Sequence, residues 1–225
     1  MTFSIAARCE STGQLGIAIS SSSIAVGARC PWLLPGVGAV ASQNITLPAL
    51  GPAVLAALKQ GLAPTEALEQ VLAQERFSGY RQLTVIDHQG RTAHFSGSET
   101  LGVHNAVSGK RCVAAGNMLA SPDVIQAMVQ AFEQAEGSLA ERLVVAMRAA
   151  VDAGGEAGPV HSAALLVVDQ VSWPVVNLRV DWADENPVNE LGKLWQAYHP
   201  QMQDYIDRAL NPAKAPGYGV PGDDR

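Results

Sequence analysis

Apolar runs of β character come in consecutive groups in this chain, and helical stretches follow them in pairs. That order excludes alternating strand–helix units and argues for segregated layers of sheet and helix. The first group starts at the N-terminus, where residues 3–9 read FSIAARC and 15–20 read LGIAIS around a segment holding Thr12-Gly13, a hairpin signal. With Thr12 and Gly13 as the loop tip, Thr2 faces Ser23, Ser4 faces Ser21, and these four share one sheet face. Residues 36–44, GVGAVASQN, predict a third, largely buried strand. Two helices follow at about 51–60 and 64–74, with Leu55, Leu58 and Leu62, then Ala67, Leu68, Val71 and Leu72, at helical spacing and Gly61 between them.

The same order then recurs. Strands are expected at 80–87 and 91–96, joined by His88-Gln89-Gly90, and at 111–117. A second helix pair runs from Ser121 as N-cap with Pro122 at the first helical position to about 135, and from 138 to about 153, where Gly154 and Gly155 stop it. Strands at 162–169 and 175–181 precede a helix over 188–198 that Pro200 interrupts before a further turn to Leu210. We therefore expect an α+β fold, a four-layer αββα sandwich of two mostly antiparallel sheets. It forms one domain over 1–210, followed by a Pro/Gly-rich tail, 211–225, that lies over the surface or packs on a neighbour.

Composition narrows the function. With 225 residues, 48% of them hydrophobic, the chain can bury one sizeable core. Fifteen basic against 21 acidic residues give a net charge of −6, the wrong sign for holding a phosphate backbone, so neither nucleic acid nor anionic membrane is expected as a partner. No apolar run approaches the ~20 residues of a membrane span, and no basic stretch leads into a secretory apolar segment, so a cytoplasmic location is expected. Cys9, Cys30 and Cys112 are widely spaced, and the five histidines form no i, i+4 pair, so neither a disulfide framework, a metal site nor a cofactor is indicated. Phosphate loops, G-x-S-x-G and H-E-x-x-H are absent. The dispersed Trp32, Trp173, Trp182 and Trp195 read as core or subunit-contact anchors, and a homo-oligomer is expected.

One chemical feature sits at the start of the chain. Met1 precedes Thr2, a small residue after which initiator methionine is commonly removed, leaving a hydroxyl and a free α-amine on one residue. The amine, with an unperturbed pKa of about 7.7 to 8.0, can take the hydroxyl proton during attack without help from a histidine. Thr2 opens a predicted strand, so a sheet would pin this terminus instead of letting it fray.

The segments MTFSIAAR, AVGARCPW, GVGAVASQN, AAGNMLASPDVIQAM, LAERL and SAALLVVD resemble the domain of unknown function 1028 family, within the N-terminal-nucleophile (Ntn) hydrolase superfamily, over nearly the whole chain. ASQNIT, WPVVNLRVDW and the tail GYGVPGD make it most similar to the Rid-associated Ntn hydrolases, found beside reactive-imine deaminases. The resemblance implies an αββα fold, hydrolysis of a small amide-type metabolite such as a cyclic imide by Thr2, and a pathway link to Rid-family deaminases. Proteasome-like relatives use an acidic residue on the second strand, whose matching place is Ser21, and a lysine near the next strand, which has no counterpart between Arg29 and Gly36. Relatives carry a basic residue where Ser22 stands, so substrate charge preference would differ here. The contrasting expectation is a catalytically silent Ntn-fold protein that binds a metabolite or assembles with other subunits.

Alternation lets at most two of Ser20 to Ser23 reach Thr2, and Ser21 and Ser23 are the pair on its face. Serines at a strand end also bond backbone routinely. Hydrolysis further needs donors for an oxyanion, each worth roughly 3 kcal/mol. Asn44, at the end of the third strand, and Asn117, after Gly116 in the family's Gly-Asn motif, are the candidates, although turn and cap duty is the commoner use of asparagine. Gln43, Gly116, Arg81 and His161 are further candidates for substrate contact, and Arg8 or Arg81 folded inward would favour a carboxylate.

Overall fold

The computed structural model describes residues 1–223. Strands β1 (Thr2–Arg8) and β2 (Leu15–Ser21) form the expected hairpin, but its loop takes in 9–14, so the register slides by two residues: Phe3 opposes Ser20 and Ser4 opposes Ile19. A two-residue slide keeps every side chain on its predicted face, because the strand period is two. What changes is the partner. Continuing the ladder past Phe3, Thr2 meets Ser21 where Ser23 was expected.

Two strands were not legible in the sequence. β3 (Pro31–Leu34) pairs with β4 (Gly38–Asn44), and β7 (Asn105–Gly109) pairs with β8 (Cys112–Asn117). Both are short edge strands with mixed burial, so neither shows clean alternation. β5 (Arg81–Asp87) and β6 (Thr92–Ser96) complete a four-stranded sheet in the order β3-β4-β5-β6. β9 (Ser162–Val168) and β10 (Pro174–Val180) complete a six-stranded one, β10-β9-β2-β1-β8-β7. All the pairings are antiparallel.

Helices α1 (Leu50–Lys59) and α2 (Pro64–Leu72) bury Val54, Leu58, Ala67 and Leu68 with Val40, Leu83 and Val85 of the smaller sheet. Helices α3 (Asp123–Gln134), α4 (Leu139–Asp152) and α5 (Pro187–Tyr198) pack on the larger sheet, where Phe3, Ile5, Met128, Phe132, Leu143 and Met147 form the main core. A third apolar cluster, including Ala6, Ile17, Ile19, Ala39 and Ile86, joins the facing sheets. Ser138 caps α4 by accepting from the Glu141 N–H at 3.2 Å. Ser121 does the same for the Asp123 N–H at 3.3 Å although the helix starts one residue later than expected. Gly154 and Gly155 end α4 at positive φ, 109° and 59°, where a Cβ would be strained.

After a 3-10 turn at His199–Gln201, α6 (Met202–Leu210) leads into the tail. The described part folds back on it: Arg208 donates to Pro216 O and Gly217 O and lies 4.1 Å from the Tyr218 ring centroid. Residues 224–225 of the expected tail lie outside the described residues. Among the described residues, no helix is long and apolar enough to cross a membrane, and no three His, Cys, Asp or Glu side chains converge as a metal-ligand set.

Where β1 meets the smaller sheet, polar side chains replace the apolar ones. Ser4 donates to Gln43 Oε1 at 2.7 Å, and Gln43 Nε2 donates to Gln82 Oε1 and Ala115 O at 2.9 and 3.1 Å. Gln82 Nε2 donates to Gly116 O and Ser96 Oγ, both at 3.0 Å, and Asn117 Nδ2 donates to Gln82 Oε1 at 3.0 Å. Such a network is stable only while complete, because each orphaned buried group costs about 1–3 kcal/mol. Gln82→Leu takes a partner from the Gly116 carbonyl, the Gln43 amide and the Asn117 amide together. We expect about 3 kcal/mol of destabilisation, read as a fall of roughly 6–12 °C in Tm by calorimetry; an unchanged Tm would show the network to be dispensable.

Candidate active site

Thr2 is 5% exposed at the first position of β1, between β2 and β8, with its side chain on the face turned to the smaller sheet. Its Oγ1 donates to Met1 O at 2.5 Å and lies 3.3 Å from Ser21 Oγ. Ser21 Oγ also donates to Met1 O, sits 2.8 Å from Ser23 Oγ and accepts from the Ser23 N–H at 3.1 Å. Arg29 Nη2 donates to Ser23 Oγ at 2.9 Å, while its Nη1 holds Ile24 O and Ala25 O. Since Ser21 gives its proton to Met1 O, Ser23 must give its own to Ser21, and Ser23 accepts from the guanidinium. The two hydroxyls thus form a donor chain running from a cation toward Thr2.

The backbone fixes that chain. Ser162 Oγ donates to Ser23 O at 2.6 Å and accepts from the Val26 N–H at 3.2 Å, and the His161 N–H donates to Ser21 O at 2.9 Å. The His161 ring stacks on Trp182 at 4.3 Å between centroids, and its Nδ1 lies 2.9 Å from Ala183 O. That histidine is therefore held as a brace for the Ser21 strand.

Asn117 opposes Thr2 across the β1–β8 ladder, so the two side chains share a face. The amide directions in the network are set by the carbonyls of Ala115 and Gly116, which demand NH2 groups from Gln43 and Gln82. Gln82 must then present an oxygen to Asn117, which gives one of its two amide N–H groups there. Asn117 Oδ1 is left buried and unpartnered. Beside Thr2, Asn117 therefore keeps a buried, unpartnered oxygen together with the second N–H of its amide. Gly116 is likewise placed differently, because a Cβ on it would meet Leu119 Cδ2 at 2.7 Å, Ile125 Cδ1 at 3.0 Å and Phe3 Cβ at 3.2 Å, all in the helix-side core. It serves close packing and is turned away from Thr2.

Asn44 has a left-handed φ of 71° at the end of β4, and its side chain is committed, with Nδ2 donating to Tyr80 O at 2.7 Å and Oδ1 accepting from the Leu101 N–H at 3.2 Å. Arg81 clamps the same turn by donating Nη1 to Ile45 O at 2.6 Å while pairing with Glu75 at 3.2 Å. Thr46 Oγ1 lies 3.6 Å from the Cys30 sulfur, a buried thiol whose pKa burial raises and whose ionised form the N-terminal ammonium favours. The Ser4–Gln43 bond sets the end of β4 against the Thr2 end of β1. Gln43 has its donors and its oxygen engaged in the network. Arg8 is six residues along β1 from Thr2, about 20 Å at strand rise, and cannot share a small substrate with it.

Two residues outside the expected set complete the site. Arg29 supplies positive charge through Ser23 and Ser21. Glu156, 5% exposed in the α4–β9 connection, receives the Ser22 N–H on both carboxylate oxygens at 3.3 Å. Burial pushes its pKa up to about 7, against the opposing pull of the N-terminal ammonium and the Ser22 bond. A lone acid inside the small-residue run Gly154-Gly155-Glu156-Ala157-Gly158 was the available signal, obscured by the reading of those glycines as a helix stop.

The raised value has a consequence for stability. Folding binds a proton at Glu156 between about pH 4.5 and 7, so its stabilising contribution is complete below 4.5 and is lost as pH rises through about 7. In the chain carrying Met1, wild type should lose about 2 kcal/mol more than Glu156→Gln between pH 5 and pH 8 in urea unfolding; parallel profiles would contradict the burial of a carboxyl there.

An α+β protein of two antiparallel sheets, with a buried hydroxyl residue at the head of a central strand, is the class this geometry defines. The chain belongs to the Family of unknown function (DUF1028), whose profile matches residues 2–191. It is similar to the crystal structure of protein SPO2555 from Silicibacter pomeroyi, of the same family, with 34% identity over 92% of this chain and 93% of that one and a TM-score of 0.84. Anbu (ancestral beta-subunit) from Yersinia bercovieri aligns at 11% identity, covering 97% and 100% of the two chains, with a TM-score of 0.42. An Anbu (Gly-1) mutant from Hyphomicrobium sp. strain MC1 aligns at 14%, over 92% and 100%, also at 0.42. No curated protein sequence matches.

Proposed function

We propose that the protein is an N-terminal-nucleophile hydrolase of a small amide-type metabolite, with the helix–sheet–sheet–helix stack as a four-layer αββα sandwich. The observation that carries the reading is the convergence on one buried strand start: the Thr2 hydroxyl, the Arg29–Ser23–Ser21 donor chain, the unpartnered Asn117 Oδ1 and the buried Glu156. Removal of Met1 takes away the carbonyl that now accepts from both Thr2 and Ser21. Ser21 is then free to donate to Thr2 Oγ1, and the cation behind it favours negative charge on that oxygen.

In the reaction, Thr2 Oγ1 bonds to the substrate carbonyl carbon as its proton passes to the α-amine. Asn117 Oδ1 and Glu156 hold that amine. The carbonyl oxygen becomes the oxyanion, and the backbone N–H groups of the Ile45–Thr46 turn, held by Arg81 and Asn44, are the donors offered to it. The C–N bond then breaks and the amine returns its proton to the leaving nitrogen, leaving an ester on Thr2. Water attacks the ester, the amine takes a proton from it, and Thr2 regains its hydroxyl as the acid departs.

Within this reading the substrate is a cyclic imide or a related amide, for which the nitrogen would leave still tethered as an amide. A panel of cyclic imides, lactams and ureides tests the class: turnover of at least one supports it, and no turnover of any by Met1-free protein refutes it. The competing reading, a silent binding or assembly protein, is favoured by one observation, that no lysine stands between Arg29 and Gly36.

A further inference from the structure

The end of the larger sheet opposite Thr2 carries a cavity of about 180 Å³ lined by Arg8, Glu10, Lys110, Arg111, Glu133 and Arg142. Four cations meet two acids there, on a chain whose net charge is −6. Glu10 pairs with Arg111 at 2.7 Å, and Glu133 accepts the Lys110 backbone N–H at 2.6 Å and keeps its charge, so the cations of the lining exceed its acids by two. Arg142 gives Nη2 to Phe132 O and lies over the Phe132 ring at 4.1 Å. The Nε–H groups of Arg8 and Arg142 are buried without an acceptor among the described residues, and neither the Arg8 guanidinium nor the Lys110 ammonium has a counter-ion there.

Buried donors without acceptors each cost about 1–3 kcal/mol, and two arginines beside a lysine offer forked and point donors suited to an oxyanion. The two-residue β7–β8 turn holds Lys110 and Arg111 side by side at the cavity mouth, with Arg111 at a φ of 59°. We infer that this cavity is a binding site for a small multivalent oxyanion, a phosphate or a dicarboxylate, separate from the Thr2 site. Its volume admits such an ion, and the chain's acidity elsewhere makes this the local exception that would attract one.

The test is calorimetric titration and thermal shift of the full chain with inorganic phosphate and with succinate, each against sodium chloride at matched ionic strength. Wild type should bind one or both with a Kd below 1 mM and gain 2 °C or more over the chloride control. Arg8→Gln should weaken binding about tenfold or more, and Lys110→Gln, on an exposed residue that folding does not need, about threefold or more. Thr2→Ala should bind as wild type does, which separates this site from the proposed reaction. No gain over chloride, equal binding by both charge variants, or loss of binding in Thr2→Ala would overturn the proposal; the stronger of phosphate and succinate names the ligand class.

Discussion

Thr2→Ala should reduce turnover of an accepted amide or imide by about 10⁴-fold or more while leaving Tm within about 2 °C of wild type. The size follows from the role, since removing a covalent nucleophile leaves only binding and oxyanion contributions. The small thermal effect follows from the structure: the Thr2 hydroxyl touches Met1 O and Ser21 Oγ, and neither contact belongs to the ladder or the core. Thr2→Ser, which keeps hydroxyl and amine, should retain turnover within about 100-fold. Wild-type turnover in Thr2→Ala, measured with the first accepted substrate, would remove the nucleophile from the account.

Blocking exposure of the Thr2 amine should have an effect of similar size. A lysine inserted between Met1 and Thr2 prevents trimming and leaves a peptide nitrogen, which cannot accept a proton, where the base is required. We expect at least 10³-fold loss of turnover with the Ser21–Ser23–Arg29 chain intact. Intact mass and kinetics on one preparation check this. The insertion also leaves a carbonyl accepting from the Thr2 and Ser21 hydroxyls, the arrangement seen with Met1 present. An inserted chain with full turnover would mean that another group activates the hydroxyl.

The strands and helices with strong periodicity were legible in the sequence, because Phe3, Ile5, Ile17 and Ile19, or Met128, Phe132, Leu143 and Met147, must find apolar neighbours on one face each. β3 and β7 were not, since an edge strand half open to solvent imposes no such alternation. The face shared by Thr2 and Ser21 was readable from parity alone, whereas the pairing partner depended on a loop length that Thr12-Gly13 misstated. Asn117 shows the limit more sharply. Its place beside Thr2 follows from a strand end, but which way its amide is turned depends on Gln82 and Gln43 from the other sheet and on the carbonyls of Ala115 and Gly116. Arg29 reaches Thr2 only through Ser23 and then Ser21, and Glu156 is held by the Ser22 N–H, and no spacing in a linear chain encodes such contacts.

The central claim, that the trimmed N-terminal threonine is the attacking group, meets its most direct test in mass spectrometry of protein treated with an electrophilic amide mimic. The account predicts a chain lacking Met1 and one adduct, located by fragmentation on the first residue, Thr2. An adduct on any other residue, or a methionine still attached in a preparation that turns over substrate, would contradict it.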